Sequence, residues 1–167
     1  MASSTPPPND EAVAHKTIFD KGLKIRYEVA GPAYVDTALS GGSSDFARPM
    51  QELVTEACWG SVWSRPGLER KQRSLLNIAM LCALNRGPEL AAHVRGAVNN
   101  GASEVEIRET ILQAAIYCGM PAGIEGTKIA EKVILAIKAE RPDHPPELQP
   151  CLLASVRVEL LHTHLIH

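Results

Sequence analysis

The chain has 167 residues, 45% of them apolar but only 4% aromatic, and a formal net charge of −2. This is length for one domain with an aliphatic core of Leu, Ile, Val and Ala, a composition that reads helical. The near-neutral balance excludes a global attraction to nucleic acid or to an anionic membrane, so an anionic ligand would have to be met by a local cluster of basic residues.

Residues 1–10 are Ser- and Pro-rich and are expected to form a disordered N-terminal segment. From Glu11 to Ala30 the residues Val13, Ile18, Leu23, Ile25 and Val29 make a helical face, closed by Gly31-Pro32. A short segment, Ala33 to Leu39, runs into the loop SGGSSD. There Ser44 or Asp45 can cap a helix carrying Phe46, Met50, Leu53, Val54 and Ala57 and stopping near Gly60. Pro66-Gly67 makes WSRPGLER a turn. Glu69 to Arg86 is the strongest element: basic first turns lead into Leu75 to Leu84, an apolar run broken only by Asn77. A helix apolar nearly all round is buried all round, so in a chain this short neighbouring subunits are expected to supply part of its cover.

Pro88 suits the first turn of the next helix and Gly101 its end. Ser103 to Glu106, SEVE, has capping-box spacing and opens a helix with Val105, Ile107, Ile111, Leu112, Ala115 and Ile116, ending at Cys118-Gly119. Pro121 opens the last helix, with Ile129, Val133, Ile134 and Ile137 on one face. No segment alternates as a strand does. The expectation is an all-α domain over residues 11–140, of about six to seven helices, oligomerising through its buried apolar helix. Residues 141–167 follow as a Pro-rich linker and an apolar tail.

The cysteines, Cys58, Cys82, Cys118 and Cys151, include no CxxC pair and are too sparse for a disulfide scaffold. Free thiols in apolar stretches point to a reducing, cytoplasmic setting. MASSTPPPND lacks the basic and apolar regions of a secretory signal, and the longest apolar run is shorter than the roughly 20 residues of a membrane span.

Three blocks, WGSVWSRPGLERKQRSLLNIAML from Trp59, ELAAHVRGAVNNGAS from Glu89 and EIRETILQAAIYCGMPA from Glu106, resemble the carboxymuconolactone decarboxylase family, nearest its γ-carboxymuconolactone decarboxylase branch. GLKIRYEVAGPAYVD, from Gly22, adds to the likeness, which runs colinearly over about residues 17–138. The resemblance implies an alkylhydroperoxidase D-like helical fold, assembly as a homotrimer or homohexamer, and chemistry without a cofactor: 4-carboxymuconolactone loses CO2 to give the β-ketoadipate enol-lactone in aromatic catabolism. Peroxidases of the same superfamily carry C-x-x-C-x-x-x-H on one helix. Here its histidine falls on His93, but its two cysteines fall on Arg86 and Glu89, so a disulfide-linked peroxide cycle has no thiol pair.

Decarboxylation of such a lactone leaves electrons that delocalise onto the ring carbonyl, so the substrate is its own electron sink. The protein must stabilise the oxyanion, hold the carboxylates and protonate a carbon. His93 is the candidate acid, since imidazole exchanges protons near neutrality. Glu89, at i−4, can orient the ring and favour its charged form, and Ala92, Gly96 and Ala97 keep the surroundings open. Such pairs are also common as solvated surface pairs; the resemblance tips the choice toward catalysis.

Arg65, Arg70, Lys71 and Arg73 form the local basic cluster. Arg65 and Arg73 are assigned to substrate carboxylates, while at least two of the four are expected to be ordinary solvated cations. Trp59 reads as core packing. Trp63 reads either as core or as pocket wall. Tyr117, on a face with Gln113, is a candidate oxyanion donor, although a buried structural tyrosine is commoner. Lys128 stands where the resemblance implies a second histidine and is assigned to the acidic substrate. His162, His164 and His167 are read as a terminus rather than a metal site, and no metal is expected. The expected partners are a small anionic substrate and further copies of the chain, with no nucleic acid and no membrane. Two other readings stay open: a thiol peroxidase with a reactive Cys58, Cys82 or Cys118, and a non-catalytic oligomeric binding protein whose His93 face is filled by side chains.

Overall fold

The computed structural model describes residues 9–41 and 44–140. The expectations for residues 1–8 and for the linker and tail from 141 fall outside them. Among the described residues the fold is all-α, with seven α-helices and one π-helical stretch and no strand.

The first half packs around α1, Asp10–Ala30, which Asn9 caps by accepting the Ala12 N–H at 2.8 Å. It ends at Gly31, whose φ of 84° lets its N–H turn back to the Tyr27 carbonyl. The residues left between loops by the sequence reading form α2, Pro32–Gly41. Ser44 Oγ accepts the Ala47 N–H at 3.2 Å in the turn ahead of α3, Arg48–Leu53, but the N-cap of α3 is Ala47, which makes no side-chain cap bond, so neither Ser44 nor Asp45 caps it. Two further expectations fail here. The helix does not stop near Gly60 but widens into a π-helix, Val54–Val62. Most of its apolar stripe is not core either: Phe46, Met50, Leu53 and Ala57 are exposed, and Val54 packs against the core.

The reason lies at two glycines. A methyl group on Gly22 would stand 2.6 Å from the Gly60 nitrogen, and one on Gly60 would stand 2.7 Å from Ile18 Cγ2. α1 and the π-helix therefore meet backbone to backbone, and this contact selects which side of the π-helix is buried. Thr55, Trp59 and Gly60 face inward, with Ile25, Val29, Val35 and Trp63. Arg26 is buried in the same layer and donates to Thr55 Oγ1 at 3.1 Å and Gln51 Oε1 at 2.9 Å. Burial pushes its pKa down.

The second half is a bundle of α4, Arg70–Ala83; α5, Gly87–Asn99; α6, Glu104–Cys118; and α7, Met120–Glu140. Its core is small and aliphatic: Ile78, Leu90, Val94, Ala97, Ile107 and Ile111 are nearly or fully buried. Burying each larger side chain contributes about 1.5–3 kcal/mol. The SEVE capping box forms as read, with Ser103 Oγ accepting the Glu106 N–H and the Glu106 carboxylate accepting the Ser103 N–H. Those bonds and Lys71, 2.9 Å away, hold the Glu106 pKa at about 2. Gly87 and Pro88 open α5, and Gly101, at φ 81°, follows its end, as the spacing indicated.

α4 is not buried all round. It turns Ser74, Ile78 and Cys82 inward, while Leu76, Met80 and Leu84 on the opposite stripe are 50%, 54% and 66% exposed. Only one side of α4 faces α5, α6 and α7, and its Leu76–Met80 stripe stays exposed among the described residues.

The two halves meet along α1 and α5. Gly96 lets the Val29 side chain approach, Asn99 Nδ2 donates to the Val29 carbonyl at 2.9 Å, and Arg70 pairs with Glu28 at 2.8 Å.

Candidate active site

His93 sits at this seam. It projects from α5 toward the π-helix, where Trp59 and Trp63 stand together with ring centroids 4.8 Å apart. In a π-helix successive turns take more than four residues, and the Trp63 N–H bonds the Cys58 carbonyl five residues back. Positions four apart thus nearly superpose, and both indoles reach the imidazole. Trp59 lies 3° from parallel to it at 6.4 Å, and Trp63 lies at 6.5 Å and 30°. Both tryptophans are 95% buried, while the histidine stays partly open.

From the other side α4 contributes Asn77, whose Nδ2 is 3.4 Å from His93 Nδ1. An amide nitrogen only donates, so Nδ1 is the acceptor and the neutral ring carries its proton on Nε2. Burial moves the His93 pKa down; the Glu89 charge opposes it and loses. Glu89 thus favours the charged ring, as its i−4 position suggested, but burial outweighs it. Glu89 is exposed, and among the described residues no hydrogen bond joins it to the ring.

One turn before Asn77 on the same helix face is Arg73. Its Nη2 donates to the Arg65 carbonyl at 3.1 Å, and its Nε is buried without a partner. The basic cluster divides in two. Arg70 is taken by Glu28 and Lys71 by Glu106, both in solvated pairs. Among the described residues Arg65 and Arg73 face no carboxylate. The structure thus brings together the imidazole, two indoles and Asn77, with Arg73 one helical turn from Asn77 on α4.

Two expected residues are not brought to it within one chain. Tyr117, at the end of α6, is 79% exposed beside Ile116, and Lys128 on α7 lies 3.8 Å from Glu125 in solvent. The sequence reading favoured core packing for Trp59, and Trp59 does lie in the buried cluster around α1, but that reading overlooked Asn77. Its one signal was that Asn77 is the sole polar residue in the Leu75 to Leu84 run.

For the thiol reading, Cys58, Cys82 and Cys118 are free; Cys82 is buried, its Sγ 3.1 Å from the Ala122 carbonyl, and burial pushes the Cys58 thiol up. Only Cys118 of the three is exposed. Among the described residues no cluster of His, Cys, Asp and Glu could hold a metal ion, and no helix is long and apolar enough to cross a membrane. A concavity of about 1180 Å³ lies on the other side of α5, along Ala91, Ala92 and Arg95.

Residues 48–132 match the carboxymuconolactone decarboxylase family. Nitrosuccinic acid decarboxylase of Metarhizium robertsii is 50% identical over 126 residues, which are 75% of this chain and 86% of that protein. 4-Carboxymuconolactone decarboxylase of Acinetobacter baylyi is 42% identical over 115 residues, 69% of this chain and 85% of that protein.

Proposed function

Because the chain belongs to the carboxymuconolactone decarboxylase family, we propose that it removes CO2, without a cofactor, from a small acid carrying more than one carboxylate, with His93 as the proton donor. The observation that carries this reading is Arg73: a guanidinium with no acid partner and a buried, unused N–H, one helical turn from the residue that touches His93. A retained carboxylate would satisfy it, with Arg65 beside it.

The substrates named for the two relatives share one piece of chemistry. In nitrosuccinate the departing carboxylate is on the carbon that bears the nitro group. As the C–C bond breaks, its electron pair moves onto the nitro oxygens as a nitronate, and a proton must then be added to that carbon. In 4-carboxymuconolactone the pair moves through the alkene to the lactone carbonyl. Either way the site needs an anchor for the second carboxylate, a poorly hydrated wall for the leaving one and a carbon acid–base. Arg65 and Arg73, Trp59 with Trp63, and His93 supply these in turn.

The neutral imidazole of the empty site is no obstacle. A bound substrate brings negative charge next to the ring, which favours the imidazolium, so the site takes up its proton with its ligand. After transfer to carbon, the ring regains a proton from solvent. Nitrosuccinate comes first among substrates, since its decarboxylase is the more similar relative. Glu89 acts as a tuning charge. Assembly belongs to the same reading: the exposed stripe of α4 and the apolar end of α6, Leu112, Ile116 and Tyr117, are covered by further copies, as a trimer or hexamer. Free thiols suit a cytoplasmic setting.

The test is to incubate the purified, assembled protein with nitrosuccinate and, separately, with 4-carboxymuconolactone, following CO2 release and product by NMR. One of the two is expected to turn over, and His93→Ala to lose about 10²–10⁴-fold in rate. Near-normal turnover by His93→Ala would sink the assignment.

A further inference from the structure

We propose that Asn100 is a positioning residue: through Ser74 it sets the register of α4 against α5 and so holds Asn77 at the His93 ring. Asn100 Nδ2 donates to Ser74 Oγ at 2.9 Å. Ser74 is fully buried on α4. A buried hydroxyl oxygen left without a donor is costly, so the two helices keep the alignment in which this bond forms. The apolar contacts around it cannot do the same. Ile78, Cys82, Leu90, Val94 and Ala97 exclude water between the helices, but their attraction is non-directional and does not fix the register to a few tenths of an ångström.

The two contacts are rungs between the same pair of helix faces. His93 and Asn100 are seven residues apart along α5 and its cap, about 20° short of two full turns, and Ser74 and Asn77 are three apart on α4. The rungs differ in strength. The Asn100 rung has the length of an ordinary hydrogen bond. Asn77 Nδ2 stands 3.4 Å from His93 Nδ1, at the long limit, where a small slip ends the interaction. The short rung thus holds the long one. Asn100 is itself fixed to the helix that carries His93: its N–H bonds the Gly96 and Ala97 carbonyls at 3.0 and 3.1 Å, and the chain turns away at Gly101, φ 81°. Its side-chain amide takes no part in that turn and reaches across to α4.

Arg73 precedes Ser74 in the chain, so the same register carries its guanidinium. Without the Asn100 bond α4 is free to slip, drawing Asn77 off Nδ1 and Arg73 off the Arg65 carbonyl. Nδ1 then loses a donor that only the neutral ring can accept, and the ring charges more readily. The other rings facing it, Trp59 and Trp63 from the π-helix, carry no charge, and Glu89 on α5 is untouched by the change. A changed titration of His93 therefore traces either to Asn77 or to water let into the seam, and an Asn77→Ala background separates the two.

The test is an NMR titration of the His93 ring nitrogens in the full-length protein without substrate. Asn100→Ala and Ser74→Ala are each expected to raise the His93 pKa, and the two together to raise it no further. With Asn77→Ala already present, Asn100→Ala should leave it unmoved. Ser74→Ala guards against a misfolded Asn100 variant, since it leaves only a half-exposed amide for water to satisfy. In either single variant kcat/KM should also fall by about tenfold, the cost of a small misplacement. That rate effect rests on His93 being the proton donor and the titration does not, so failure of the catalytic reading leaves the titration standing. A His93 titration unmoved by Asn100→Ala, or moved equally with and without Asn77, overturns the proposal.

Discussion

The indole of Trp59 and the imidazole of His93 lie within 3° of parallel, one supplied by the π-helix and the other by α5. This places a titratable ring against a buried apolar plane, and burial is the larger of the two influences on its pKa. The functional consequences can be read from pH, charge and packing in turn.

Burial holds the His93 pKa below its ordinary 6.5. If the imidazolium is the proton donor, kcat/KM falls as pH rises through that depressed value, because kcat/KM reports the free protein. The corresponding limb of kcat lies at higher pH, since bound carboxylates favour the charged ring. Glu89→Gln, which removes the charge opposing burial, moves the kcat/KM limb lower still. Stability follows the same sign: the unfolded chain binds the proton more readily, so the folded state loses ground as pH drops below 6.5. Rate–pH profiles and urea midpoints at several pH values check both halves.

Asn77→Asp puts a carboxylate where Asn77 Nδ2 now meets His93 Nδ1. A carboxylate accepts where an amide nitrogen donates, so Nδ1 gains a proton and the ring becomes easier to charge. The kcat/KM limb is expected to move to higher pH, and ¹⁵N shifts of the ring should report protonated Nδ1. An unmoved profile would show that Asn77 does not set the state of the ring.

Arg73→Gln should raise KM by about 10–100-fold, the equivalent of one charge-assisted hydrogen bond of roughly 1.5–3 kcal/mol, with a smaller change in kcat. The retained carboxylate is held alike before and during the reaction, which is why the loss appears in binding. Steady-state kinetics on the preferred substrate decide it; a fall in kcat with KM unchanged would place Arg73 on the reacting group instead.

Gly60→Ala should destabilise the fold by about 1–3 kcal/mol, because the new methyl group meets Ile18 Cγ2 at 2.7 Å and the Ile18 carbonyl besides. The strain pushes the π-helix off α1 and carries Trp59 and Trp63 with it. Near-UV circular dichroism of the tryptophans should change together with activity, while the far-UV helical signal is largely kept.

Much of this protein was legible along the chain because the interactions involved are local. The capping box of Ser103 and Glu106, Pro88 inside α5 and Gly101 beyond it depend on neighbours three or four residues away. That His93 is a group able to exchange a proton, and that residues 65–73 gather cations, was legible for a related reason: residue type and spacing already state what chemistry a side chain can do. The direction of the His93 pKa was not, since Glu89 is visible at i−4 while the burial that outweighs it comes from other helices. Nor was the stacking of Trp59 on His93, because helical spacing does not say which ring a buried indole will meet. The π-helix arises from the backbone contact of Gly22 with Gly60, nearly forty positions apart. Periodicity likewise gave α4 an apolar surface all round, but only packing decided that Ile78 turns inward and Met80 outward. Sequence by itself determined which segments are helical and which groups can carry charge or a proton. Tertiary structure decided which of those groups meet, and in how dry a place, because desolvation and contact depend on residues far apart in the chain.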